Sequence, residues 1–176
     1  TVNIDGGLVG RNVYGAGALG SVGKDESTTT NNVTTTTTTG GLTTINISGG
    51  TIGVSGTVGD GNVFGAARGD NEAVGNDHAT DRLANVKTTS VMVTNGTIKG
   101  NVYGGGEVGS VGTYSVTHDP SSTDYMKIYT FESGTGECNV TINGGTIGIT
   151  GVAMGEDGTY ANGNIYGASK GLANTI

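Results

Sequence analysis

Val91-Met92-Val93-Thr94-Asn95-Gly96-Thr97-Ile98-Lys99-Gly100-Asn101-Val102-Tyr103-Gly104-Gly105-Gly106 is the stretch from which the rest of the chain can be read. Val91 and Val93, two apart, fall on one face of a short strand, because successive side chains in a strand point to opposite faces. Asn95-Gly96 supplies the positive φ of a sharp corner. Thr97-Ile98 is a second short strand, and Asn101-Val102-Tyr103-Gly104 a third. Strands this short do not hold together alone. They need a partner of the same design.

The chain provides three. Val2-Asn3-Ile4-Asp5-Gly6-Gly7-Leu8-Val9-Gly10-Arg11-Asn12-Val13-Tyr14-Gly15 repeats the phrase. So does Ile45 to Gly53, resuming at Gly61-Asn62-Val63-Phe64-Gly65 after a short insert. The fourth copy runs from Val140 to Gly148 and resumes at Gly163-Asn164-Ile165-Tyr166-Gly167. The tails of the first and third copies also agree, Leu19-Gly20-Ser21-Val22-Gly23 against Val108-Gly109-Ser110-Val111-Gly112. Spacings of 50, 39 and 63 residues between the aligned aromatics mean that insertions of unequal length hang from a regular scaffold.

Repetition of short strands and Gly or Asn corners indicates a coil stacking on copies of itself. The expected fold is all-β, a parallel β-helix (β-solenoid) of about four coils. Its hand is expected to be right, because right-handed crossovers prevail. The core copies are placed at about 2–23, 45–75, 91–112 and 140–176, with insertions at about 24–44, 76–90, 113–139 and 149–162, all in one domain. Stacking would align Asn12, Asn62, Asn101 and Asn164 in an asparagine ladder. Tyr14, Phe64, Tyr103 and Tyr166 would form an aromatic ladder, and Val13, Val63, Val102 and Ile165 a valine-type row. We expect the valine row to face the core and the aromatics to form an outer stripe, partly covered by insertions.

Composition narrows the class. Of 176 residues 36 are Gly and one is Pro, which argues against helices and, without a Gly-X-Y period, against collagen. A net charge of −7 disfavours a nucleic-acid partner. No apolar run reaches the ~20 residues of a membrane-spanning helix. Only 13% of residues are charged, and polarity comes from Thr, Ser, Asn and Gly, as on many extracellular surfaces. Cys138, the single cysteine, permits no internal disulfide.

The phrases at 96–106 and at Ser48-Gly49-Gly50-Thr51-Ile52-Gly53 resemble the glycine-rich parallel β-helix repeats of large secreted or surface-anchored bacterial proteins, among them adhesin stalks and autotransporter-passenger-like arrays. The resemblance covers the four copies and not the insertions. It implies an extracellular structural or adhesive role.

Candidate chemistry is sparse. The copies bring no two carboxylates together for acid–base work, and His78 and His118 fall in insertions. No enzyme and no cofactor is expected. Asp60, Asp70-Asn71-Glu72, Asn76-Asp77 and Glu156-Asp157-Gly158 are oxygen-rich loops without a calcium-site spacing, so no metal is expected either. Arg68-Gly69-Asp70 and the sequons at Asn32, Asn46, Asn95 and Asn139 are short enough to arise by chance in this composition. The threonine tract at 28–39 reads as a polar β-arm. Tyr114 to His118 and Tyr125 to Phe131, around a turn-rich centre, read as a hairpin arm carrying aromatics.

Two functions follow as expectations. One is a structural module, a stalk or self-assembling filament subunit. The other is an adhesive module that holds glycan or a host protein through the aromatic row and arms. Thr1-Val2-Asn3-Ile4 opens directly in a repeat strand, and Gly171-Leu172-Ala173-Asn174-Thr175-Ile176 resembles Gly41-Leu42-Thr43-Thr44-Ile45. Thr1, Val2, Asn3, Ile4, Asn174, Thr175 and Ile176 are therefore expected to form an end-to-end interface, with the partner either another copy or flanking repeats.

Overall fold

The computed structural model describes residues 1–54, 59–69, 85–118, 128–149 and 162–171, and its regular elements are all β-strands. The chain is all-β and built on parallel sheets. The four copies of the phrase lie side by side in sequence order, each forming one layer.

The first sheet has two legs. Along one, β1 (Val2–Val9), β5 (Leu42–Ile52), β8 (Thr88–Val93) and β14 (Glu137–Ile142) pair in parallel. This places Val2, Ile45, Val91 and Val140 in one row and Ile4, Ile47, Val93 and Ile142 in another. Along the second leg, the ends of β1 and β5 are followed by β9 (Thr97–Ile98) and β15 (Thr146–Ile147), aligning Val9, Ile52, Ile98 and Ile147. Between the legs the backbone turns at Gly7, Gly50, Gly96 and Gly145, whose φ values are 79°, 79°, 98° and 88°. That conformation is strained for any residue with a Cβ, which is why every copy keeps a glycine there.

The second sheet contains β2 (Val13–Tyr14), β6 (Val63–Phe64), β10 (Val102–Tyr103) and β16 (Ile165–Tyr166), in that order and in register. In the third, β7 (Asn85–Val86) pairs with β11 (Ser110–Val111), while Val22 N–H donates to Asn85 O at 2.9 Å. Val22, Val86 and Val111 thus come from consecutive layers. This corrects the boundaries read from sequence. The segment 76–90, taken as an insertion, rejoins the stack at Asn85, and the strands of the first sheet start at Leu42, Thr88 and Glu137, ahead of the recognisable phrase.

The aliphatic rows of the first two sheets meet in one core of Val13, Ile45, Ile47, Ile52, Val63, Val91, Val93, Ile98 and Val102. Burying each such side chain contributes about 1.5–3 kcal/mol, which is what so many two-residue strands need to persist. The equivalent residues of the outer layers, Val2, Ile4, Val9, Val140, Ile142 and Ile147, are only partly buried.

The insertions at 24–44 and 113–139 build a separate antiparallel sheet. β3 (Gly23–Thr30) and β4 (Val33–Gly40) form a hairpin. Its turn residues Asn31 and Asn32 both have positive φ, 52° and 63°, the geometry whose twist matches a two-residue hairpin. β12 (Tyr114–His118) pairs with both β4 and β13 (Ile128–Phe131), giving the order β13-β12-β4-β3. Two arms read as independent are one sheet. The turn of the second arm lies outside the described residues.

Candidate functional site

The second sheet carries the most regular chemistry. Asn62 N–H and Nδ2 both donate to Asn12 Oδ1, at 2.8 and 3.3 Å. Asn101 makes the same pair to Asn62 Oδ1 at 2.9 and 3.2 Å, and Asn164 to Asn101 Oδ1 at 3.0 and 3.1 Å. Each amide oxygen therefore takes two protons from the layer above. The ladder has a direction, every donor lying one layer above its acceptor.

One residue on, Val13, Val63 and Val102 point into the core, while Ile165 is 50% exposed. One further on, the four rings stack. Centroids are 5.1 Å apart for Tyr14–Phe64, 4.9 Å for Phe64–Tyr103 and 4.8 Å for Tyr103–Tyr166, with interplanar angles of 8° to 11°. They do not form an open stripe: Phe64 is fully buried and Tyr103 8% exposed, against 43% for Tyr166. Burial, and then a hydrogen bond of 2.6 Å to Glu107 Oε2, push the Tyr14 phenol up to about 12. Burial also raises Tyr103. Lys170 Nζ holds the other Glu107 oxygen at 3.0 Å, tying three layers together.

After the aromatic every copy has Gly, and the layers explain it. A Cβ on Gly15 would run into the Gly65 carbonyl oxygen, and one on Gly65 into that of Gly104. The same carbonyls accept buried hydroxyls, Thr43 Oγ1 to Gly65 O at 2.6 Å and Thr89 Oγ1 to Gly104 O at 2.5 Å. Cys138 pairs with Thr89 in register, so it occupies the matching place in the fourth layer. Burial raises its thiol. Sequence reading missed this column. The signal was present: Thr43, Thr89 and Cys138 each stand two residues before the first aliphatic of a copy.

The remaining candidates scatter. Asp60 pairs with Arg11 at 3.0 Å, and Arg68 Nε donates to Gly69 O at 3.4 Å. Residues 70–77, His78 and Glu156-Asp157-Gly158 lie outside the described residues, and His118 ends β12. Among the described residues no three His, Cys, Asp or Glu side chains come together to hold a metal ion. Of the end residues, Thr1 and Asn3 are exposed and Val2 and Ile4 half-buried, while Asn174, Thr175 and Ile176 lie outside the described residues. Asn46 Nδ2 donates to Asn3 Oδ1 at 2.8 Å.

The arrangement has two end layers: a first with half-buried Val2, Ile4 and Val9, and a fourth in which Val140, Ile142 and Ile147 are likewise half-buried and Ile165 and Tyr166 are 50% and 43% exposed. Compared with family models, curated proteins and solved structures, the chain has no match in any of the three.

Proposed function

We propose that the chain is a β-solenoid structural module, a non-enzymatic stalk or filament unit whose stack is extended by further parallel layers. The observation that carries this reading is the continuous row Val13, Val63, Val102, Ile165, buried in the first three layers and half exposed in the last. The next layer covers the equivalent residues Val13, Val63 and Val102, and natural repeat arrays cap or continue a face that exposes such a row. The low charge and Thr, Asn and Gly surface fit an extracellular or cell-surface setting. An adhesive role through the aromatic row is the weaker reading, since the two central rings are buried and only the end rings could meet a glycan.

Negative-stain images at rising protein concentration test the proposal. Particles should lengthen along one axis at constant width. Clusters without an axis, or particles that never lengthen, would overturn it.

A further inference from the structure

We propose that the occupant of the exposed fourth layer is a second copy of this chain, docked head to tail with its Asn12 amide on Asn164 Oδ1. The inference rests on the reading of the chain as an extendable stack. What it adds is the identity of the partner and the direction of docking, both argued from bonds already present between layers. Each layer donates from its Asn N–H and Nδ2 to the Oδ1 below. Asn164 Oδ1 receives no donor among the described residues, and Asn12 N–H is the matching donor at the other end. In the opposite sense, Val13, Val63 and Val102 N–H groups donate to the Asn carbonyl of the next layer at 2.9 to 3.0 Å. Ile165 N–H would find that acceptor in a partner's Asn12 carbonyl.

Head-to-tail docking gives each of these groups the partner that its equivalents have between layers, and the arrangement does not close on itself. In it Val13 of the incoming chain covers Ile165, and its Tyr14 ring adds to Tyr166 at the spacing of the other rings. The Gly column provides a check on the fit. No described atom lies within 4 Å of a Cβ built on Gly167, although the same Cβ on Gly15 or Gly65 meets the next layer's carbonyl. That space is where the incoming Gly15 carbonyl belongs.

The test uses the outward row Asn3, Asn46, Met92 and Thr141, which the register places on consecutive layers. Docking would make Asn3 of a partner the next member after Thr141, with Cα atoms about 4.8 Å apart, within disulfide range. In a Cys138→Thr background, Asn3→Cys and Thr141→Cys proteins are mixed in equal amounts and mildly oxidised. The expected result is a mixed disulfide at least tenfold over either homodimer, abolished by adding Gly167→Ala to the Thr141→Cys protein. Homodimers in statistical proportion, no dimer, or indifference to Gly167→Ala would overturn the docking. An intrachain Asn46→Cys, Met92→Cys pair separates the two levels. Failure of that bridge to close refutes the layer stacking itself, whereas closure without the mixed dimer refutes only the partner.

Discussion

Adding one methyl group to Gly65 should cost far more than adding it to Gly167, although both follow the aromatic residue of a repeat. On Gly65 the Cβ collides with the Gly104 carbonyl oxygen and comes within 3.1 Å of Thr89 Cβ. The neighbouring layer cannot yield freely, because Gly65 N–H donates to Tyr103 O at 2.9 Å and Thr89 Oγ1 to Gly104 O at 2.5 Å. Overpacking of a tight interior costs about 1–3 kcal/mol, and weakening one buried hydrogen bond about 0.5–1.5 kcal/mol more. Gly65→Ala should therefore lose about 3 kcal/mol. Gly167 has no described atom within 4 Å of the new methyl and no left-handed φ, so Gly167→Ala should stay within about 0.5 kcal/mol of the parent. For a chain of this size the difference corresponds to about 6–12 °C in Tm. Thermal melts followed by circular dichroism, at dilutions that keep the chains single, read it directly. Equal melting temperatures for the two variants would refute the close approach of the layers.

Val102→Asp should unfold the stack around the third layer, because Val102 is fully buried among Val and Ile side chains and an unpaired carboxylate there costs more than about 4 kcal/mol; the outward Met92→Asp, at a 40% exposed site, should melt within a few degrees of the parent. Asn101→Asp should cost about 2–3 kcal/mol at neutral pH, since it replaces the Nδ2 donor facing Asn62 Oδ1 with a carboxylate; urea titrations should show part of the loss regained at pH 4. Tyr14 should titrate near pH 12 in the absorbance difference between the parent and Tyr14→Phe, and Glu107→Gln should lower it. Because the folded phenol holds its proton above the unfolded value of 10, this group's contribution is full below pH 10 and is lost as pH rises towards 12.

The all-β class and the parallel sheets were legible because the same residue types recur at the same places in four copies. Gly7, Gly50, Gly96 and Gly145 could be read as corners from local backbone physics alone. The third sheet was only half legible. Ser21-Val22 and Ser110-Val111 share a phrase, whereas Asn85-Val86, which lies between them, follows a stretch with no trace of it. The union of β4 with β12 was hidden for a different reason. Thr34 to Thr38 and Tyr114 to His118 are far apart in sequence, and a strand's pattern does not encode which distant edge it will meet. The aromatic row was uncertain in sequence because parity fails across a corner. Its burial depends on which layers lie above and below, as the contrast between Phe64 and Tyr166 shows.

Layer order is the claim on which the proposed scaffold depends, and nuclear Overhauser contacts in an isotopically labelled chain test it most directly. The backbone protons of Val13, Val63, Val102 and Ile165 should connect in that order, each only to its neighbours, with the pattern of parallel strands. Contacts joining Val13 directly to Val102 or Ile165 within one chain, or close Hα–Hα pairs of antiparallel strands among these four, would contradict it.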